Sequence, residues 1–348
     1  MKVRKQGNDY ELEVWMKEIL QRSGRKRIDL VITLPTKESF IYRTVFEDIK
    51  VFLSESQLAS VKPLPIPTYC KTEKVENLSK DRIFMLEDMR GVGYIRNSTQ
   101  CKDGLDYEHS ILALATLARF HACSFCYKKS KKMNMAALYP KVTTEPPRVD
   151  ISVEVLSEVE EIFLKSSGYA KFSKTFLEAI KGENINSKTS IFDMFCHGHL
   201  SAENLRFKYK KQMDSKTCCI DAILVGFSEC CYTSCVIDLL QLIFGGINAD
   251  IRQTFLGDFV CSVYYDNFAK NVNSINKNIQ MFTKKQFIKE FTDKIMYGFL
   301  FSLQCMLDAN LEVKGVLINK HRPKFLALVR DIVQFKVNAK ATLASNTI

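Results

Sequence analysis

The chain has 348 residues, 46% of them hydrophobic and 26% charged, which is enough apolar material for one large core or two lobes and an ordinary charge content for a globular protein. Its net charge is +11, but the surplus is spread along the chain, with local clusters at Arg25-Lys26-Arg27 and Lys128-Lys129-Ser130-Lys131-Lys132. A nucleic-acid binder gathers such clusters on one recognition element with aromatics between them, so a nucleic-acid partner is disfavoured, while a basic surface still favours anionic ligands, nucleotides included.

Residues 9–20 and 28–35 read as two strands joined by the turn Ser23-Gly24-Arg25-Lys26, with Ile28, Leu30, Ile32 and Leu34 on one face. A helix is expected from Lys37 to Gln57, stopped by the cluster Pro63, Pro65, Pro67. Two short strands follow near Thr68–Lys74 and Arg82–Glu87. From Leu105 the pattern turns helical, with Leu112, Ala115, Leu117, Ala118 and His121 at helical spacing. A loop rich in Lys and Pro runs from Lys128 to Arg148, and helical periodicity resumes from Val153 to Ile180. A strand from Thr217 to Phe227 precedes helices that continue to the end. The densest apolar stretch, Tyr297–Leu307, is interrupted by Ser302 and Gln304 and reads as a buried helix. No apolar run reaches the ~18–20 residues of a membrane span, and no apolar signal segment follows Met1-Lys2-Val3-Arg4-Lys5. A cytoplasmic protein without a membrane span is expected. The fold class is α+β in two lobes that form one domain: a small strand-rich lobe over 1–90 and a helical lobe over 91–348. The joint near Glu87–Gly93 makes a natural ligand cleft.

Twelve cysteines without a secretory signal are expected to be reduced thiols. Adjacent pairs such as Cys218-Cys219 and Cys230-Cys231 make a poor disulfide framework. Cys123-Ser124-Phe125-Cys126 lacks the second pair that a zinc site needs and reads as buried helical thiols. Cys196-His197-Gly198-His199 could hold a metal on paper, a weak signal from loop histidines two apart.

The segment Cys196-His197-Gly198-His199-Leu200-Ser201-Ala202-Glu203-Asn204 carries the most chemistry. It has the form of a kinase catalytic loop, in which an Asp accepts the substrate's hydroxyl proton and an Asn five residues later holds a metal ion. His197 and Asn204 are present, and His199 stands where the Asp belongs. Three further segments follow the same scheme: Asp221-Ala222-Ile223-Leu224-Val225-Gly226-Phe227-Ser228, Ile237-Asp238-Leu239-Leu240, and Met85-Leu86-Glu87-Asp88-Met89 with Leu117-Ala118-Arg119-Phe120-His121-Ala122-Cys123-Ser124. In order and at compatible spacing, the four resemble the ecdysteroid kinase-like group of the choline kinase-like proteins, small-molecule kinases with a protein-kinase-like fold. The resemblance runs from about Gly7 to the last third of the chain. It implies ATP and magnesium as cofactors and a steroid-like or other alcohol as the small-molecule partner.

Phosphoryl transfer is mostly positioning and neutralisation of charge, so each part of such a site demands a residue type. Within the resemblance the phosphate lysine falls at Ile32, and no Lys or Arg occurs between Ile28 and Thr36. The helix glutamate that orients that lysine falls at Asp48 or Glu47, the hinge at Glu87, Asp88 and Met89, the catalytic Asp at His199 and the metal-binding Asp at Gly226. Asn204 remains as a metal ligand, but glycine offers a cation nothing, and magnesium requires oxygen. His197 frames the loop, and Asp238 opens a helix beneath it and accepts hydrogen bonds from its backbone. His199 could serve as a base in its own right, and Glu203 or Glu229 could reach a cation. Asp221, on a strand five residues before Gly226, points to the opposite face. Gly7-Asn8-Asp9-Tyr10 resembles the family's phosphate-loop turn, with Leu12 near its usual Ser, and the N-terminal lobe reads as shortened at its start. The expected function is a pseudokinase-like member with a cleft for a ligand or partner. The alternative is a divergent, active ATP-dependent kinase for a hydroxyl of a steroid or other small molecule.

Overall fold

The architecture comes from a computed structural model, which describes residues 28–31, 37–55, 62–69, 84–96, 104–131, 134–147, 149, 151, 153–181, 190–211, 217–308 and 321–344. The strand expected at 9–20, the turns at Gly7 and Gly24, and Ile32 lie outside these residues. Strand β1 (Ile28–Val31) pairs antiparallel with β2 (Phe84–Glu87), Ile28 opposite Glu87. Of the strand expected at Thr68–Lys74, the described part contributes a single bridge, Tyr69 to Leu86. The expected helix from Lys37 is a run of three pieces: α1 (Lys37–Phe40), a π-helical stretch Ile41–Val45, and α2 (Phe46–Glu55). Across the π turn Ile41, Tyr42, Val45, Phe46 and Ile49 keep the three- and four-residue spacing of one helix face and enter the core.

Helix α3 (Tyr107–Ser130) is the central element. Asp106 caps it by accepting the His109 backbone N–H at 3.0 Å. By length and composition it is apolar enough to cross a membrane, which the sequence reading passed over, but most of it is buried within the fold, as in a core helix. It reaches into the stretch expected as loop from Lys128, and a short helix, α4 (Met135–Leu138), interrupts the remainder. The helical stretch expected over Val153–Ile180 divides into α5 (Val153–Lys165) and α6 (Ser173–Ile180).

Two strand pairings position the site. Strand β4 (Asp193–Cys196) pairs antiparallel with β7 (Cys231–Ser234), and β5 (Leu205–Lys211) with β6 (Thr217–Leu224), while β3 (Tyr94–Ile95) extends the second pair along β5. The pairs end at Cys196 opposite Cys231 and at Leu205 opposite Leu224. The connection from β4 to β5 therefore runs beside the connection from β6 to β7, and Val225 N–H donates to Asn204 O at 3.0 Å. The strand expected to reach Phe227 stops at Leu224, because Gly226 adopts φ +81° and Phe227–Glu229 wind into a 3-10 turn. β3, β4, β5 and β7 were not anticipated.

The remaining helices are α7 (Val236–Gln241), α8 (Ala249–Asp258), α9 (Asp266–Ile275), α10 (Lys284–Asp308) and α11 (Arg322–Ala344), with α10 containing the expected buried segment at Tyr297–Leu307. One buried ion pair ties α8 to α11: Arg252 Nε lies 2.8 Å from Asp331 Oδ2, both side chains almost wholly enclosed. Asp331→Ala strands the Arg252 charge in the core, and denaturant unfolding is expected to show a loss of about 3–5 kcal/mol. A loss within error of zero would show that water reaches the guanidinium.

Candidate active site

The loop between β4 and β5 is shaped from below by two side chains of α7. Asp238 and Gln241 are three residues apart and so share a helix face. Asp238 Oδ2 accepts the His197 backbone N–H at 2.5 Å, and its Oδ1 accepts that of Gly198 at 2.9 Å. Gln241 Oε1 accepts the Leu200 N–H at 2.7 Å, and its Nε2 donates to Gly198 O at 2.7 Å. The Asp238 carboxylate is fully buried, so it must be paired. His121 on α3 supplies a further partner, with Nε2 3.1 Å from Asp238 Oδ2 and Nδ1 2.6 Å from the Tyr264 hydroxyl. Burial pushes the Asp238 carboxyl up, but the His121 hydrogen bond, the nearby imidazoles and the Gly198 N–H together hold it below the ordinary carboxylate value.

His197 is fully buried with its ring 4.5 Å from that of Phe227. Its Nε2 donates to Val225 O at 2.9 Å, and its Nδ1 accepts the His199 N–H at 3.3 Å, which fixes the neutral tautomer. Burial pulls its pKa below the ordinary value, against the pull of Asp238. Gly198 has φ +85°, and a Cβ there would stand 1.9 Å from Glu229 O, so the loop admits only glycine at this point.

The metal reading of Cys196-His197-Gly198-His199 does not hold. Cys196 and His197 face the core, His199 is exposed, and both His197 nitrogens are committed. His121, Cys196 and Asp238 do bring three ligand atoms within 4.8 Å of one another. His121 and Asp238 already satisfy each other there, and burial raises the Cys196 thiol well above its ordinary value, away from the thiolate a metal needs.

Above the loop lies a cleft of ≈ 500 Å³. Asn204 and Gly226 line it, with Glu87 and Met89 from the joint. Asp88 is not among the lining residues: it is buried and takes two bonds from Arg90 at 2.9 Å, through the backbone N–H and Nε. Asn204 Nδ2 donates to His199 O at 2.7 Å. Its Oδ1 is thereby turned to Gly226, where a Cβ would meet it at 3.0 Å. The His199 ring packs edge-on against Phe301, centroids 5.3 Å apart.

The other acids named from the sequence lie elsewhere. Glu47 pairs with Lys50 at 2.9 Å, and Asp48 accepts the Tyr139 hydroxyl at 2.7 Å. Glu203 pairs with Arg96 at 2.7 Å in the open, Glu229 is exposed, and Asp221 accepts the Tyr94 hydroxyl at 2.7 Å. Beside Glu87, a further acid lines the cleft, Glu38, which sequence reasoning missed. Its Oε1 accepts the backbone N–H of Phe227, the residue after Gly226, at 3.0 Å. In the sequence it is one more acid in the first turn of a helix, where the dipole favours any carboxylate, so no signal marked it.

A profile of the ecdysteroid kinase-like family matches residues 1–277. This chain belongs to the ecdysteroid kinase-like family. The α+β architecture is the two-lobed, kinase-like one that the resemblance implied. Among solved structures, this family member is similar to an aminoglycoside phosphotransferase from Alicyclobacillus acidocaldarius, with 9% identity, 91% of this chain and 86% of the other covered, and a TM-score of 0.44. It is also similar to an amicoumacin kinase solved with AMP-PNP and Ca2+ (13% identity, 90% and 82% covered, TM-score 0.41). The choline kinase of Streptococcus pneumoniae gives 10% identity, 93% and 99% covered, and a TM-score of 0.31. No curated protein matches the chain. At the two positions where the family resemblance places metal ligands, this member offers one side-chain oxygen, Asn204 Oδ1, and the bare Gly226; that pair alone does not fit a magnesium ion.

Two outcomes follow for the loop. Gly198→Ala should destabilise by roughly 2–4 kcal/mol, because its Cβ meets immovable backbone, whereas Gly226→Ala should cost about 1–2 kcal/mol, because the Asn204 amide can yield. Equal losses in chemical denaturation would contradict the geometry. Stability should also fall with acid. His197 titrates lower in the fold than its ordinary 6.5, so as pH drops through 6.5 the unfolded chain takes the proton first. Asp238 adds a loss as pH falls through 3.8 towards its depressed folded value. Urea midpoints that stay level from neutral pH down to about pH 5 would refute the His197 contribution.

Proposed function

We propose that this ecdysteroid kinase-like protein keeps the kinase scaffold and its cleft but has lost phosphoryl transfer, and that the cleft binds a small molecule or a partner. The observation that carries this reading is the loop itself. Its backbone is held by Asp238 and Gln241, while the residues at its two working positions are an exposed His199 packed on Phe301 and, in the cleft, Asn204 facing a glycine. A kinase site needs a carboxylate to accept the hydroxyl proton and another to hold the metal. Neither stands at its position here, and the phosphate lysine is Ile32 in the sequence.

In this reading ATP and magnesium are the family's cofactors rather than established ligands of this chain. The ligand is a steroid-like or other alcohol, the lobes are 1–90 and 91–348, and the compartment is the cytoplasm. The free state of the ten described cysteines fits that compartment.

A second reading has one observation in its favour. His199 is exposed on the loop and its backbone carbonyl anchors the Asn204 amide, so an imidazole open to solvent belongs to the residue that holds the remaining amide ligand. A divergent kinase acting on an alcohol would use that pair. Incubation with ATP, magnesium and a panel of hydroxylated steroids and simpler alcohols decides between them. The expected result is no phosphate transfer above the protein-free rate. Transfer well above it, abolished by both His199→Ala and Asn204→Ala, would establish the second reading instead.

A further inference from the structure

We propose that Asp106, His109 and Tyr209 form a second reactive site, in which the Tyr209 phenol is a nucleophile for activated acyl groups. None of the three lines the cleft, and the inference is independent of what happens there.

The three side chains stand in hydrogen-bonded order. Asp106 Oδ1 accepts the His109 backbone N–H as the cap of α3, and His109 Nδ1 lies 2.8 Å from the same oxygen. A carboxylate only accepts, so Nδ1 carries the ring proton and Nε2 is bare. The Tyr209 hydroxyl, 2.8 Å from Nε2, donates to that bare nitrogen. Nucleophile, base and orienting carboxylate thus follow one another within hydrogen-bond reach, the arrangement that activates a hydroxyl. The imidazole is buried and packs edge-on against Phe207, ring centroids 4.8 Å apart, which holds Nε2 towards the phenol.

Tyr209 is only half-buried, so part of its side chain meets solvent. A bulge between Lys208 and Tyr209 breaks the alternation of β5 and re-aims the side chain. Cys219 stands opposite Tyr209 on β6, and burial pushes its thiol up to about 12. It stays a neutral thiol there and does not displace the phenol as nucleophile.

The leaving group sets the substrate class. A phenol of ordinary pKa about 10 displaces groups that leave as readily as phenolate, so thioesters and aryl esters qualify while alkyl esters and amides do not. The phenol oxygen adds to the acyl carbonyl as its proton passes to His109 Nε2, and Asp106 steadies the imidazolium. The tetrahedral adduct expels thiolate or phenolate, which takes the proton from His109, and the acyl group remains as an ester of Tyr209. That ester is itself activated, so water or an amine can take the acyl group and restore the phenol.

The test uses the full chain and p-nitrophenyl acetate. The expected result is release of p-nitrophenolate with acetyl on Tyr209, located by peptide mass spectrometry after an acid quench. Tyr209→Phe keeps the ring and should remove that release. His109→Gln and Asp106→Asn should each slow acetylation of Tyr209 at least about tenfold, because the base is lost in one and its tautomer is no longer fixed in the other. Asparagine still caps α3, so the helix should stay in place in Asp106→Asn. Asp106 is a positioning residue, and its role is read separately from nitrogen-15 shifts of the His109 ring. The unaltered protein should show Nδ1 protonated and Nε2 bare, a preference that Asp106→Asn should lose. Acetyl spread over surface lysines with no enrichment at Tyr209, an equal rate in His109→Gln, or an unaltered His109 protonated at Nε2 would each overturn the proposal and leave the three residues as a clasp between α3 and β5.

Discussion

The structure around the cleft depends on one buried negative charge. Asp238 is fully enclosed, and an unpaired carboxylate there would cost several kcal/mol. It is instead satisfied by the backbone N–H groups of His197 and Gly198 and by the His121 ring. Those bonds set where the loop between β4 and β5 begins and how sharply it turns, and Gln241 fixes the next step through Leu200 and Gly198. From His197 to Leu200 the loop's shape follows from groups that face the core, and the Asn204 amide ties its later part back to the His199 carbonyl.

That separation explains how a catalytic loop can persist here without catalytic acids. The core-facing members, His121, His197, Asp238 and Gln241, are fully buried and hydrogen-bonded to one another's neighbourhoods, so replacing any one leaves a polar partner stranded in the interior. Positions 199 and 226 face the cleft or solvent, where a change of side chain alters charge but breaks few bonds. A chain under no demand to transfer phosphate would lose the second set long before the first. Gly226 belongs to both: its φ of +81° suits glycine, and its missing side chain removes the carboxylate that the family resemblance places there.

The sequence showed the scaffold better than the site. Helix α3 was legible because Leu117, Ala118 and His121 recur at helical spacing, and the loop was legible because His197, Asn204 and Asp238 stand at family spacing. Boundaries failed where local geometry overrode periodicity. A π turn at Ile41–Val45 divides the helix expected from Lys37, the left-handed Gly226 cuts β6 short, and β4 and β7 are four-residue strands too brief to show alternation. The family resemblance of Phe46-Glu47-Asp48-Ile49 puts the helix acid at Asp48 or Glu47. Asp48 is occupied by Tyr139 and Glu47 by Lys50. Glu38 could not be found that way, because its role comes from a contact with Phe227, 189 residues on, that no local pattern encodes.

The position of Glu38 has an electrostatic consequence for any ligand of the cleft. In a kinase site the residues nearest the phosphates neutralise them, by lysine directly and by carboxylates through metal ions. Here the part-buried Glu38 carboxylate beside Gly226 accepts the Phe227 N–H and adds a second acid to Glu87 in the lining. The charges a ligand meets are thus mixed, Glu38 and Glu87 against Arg90, Arg96 and Arg206, and Glu38 is the acid that the loop's own backbone holds in place through the Phe227 N–H.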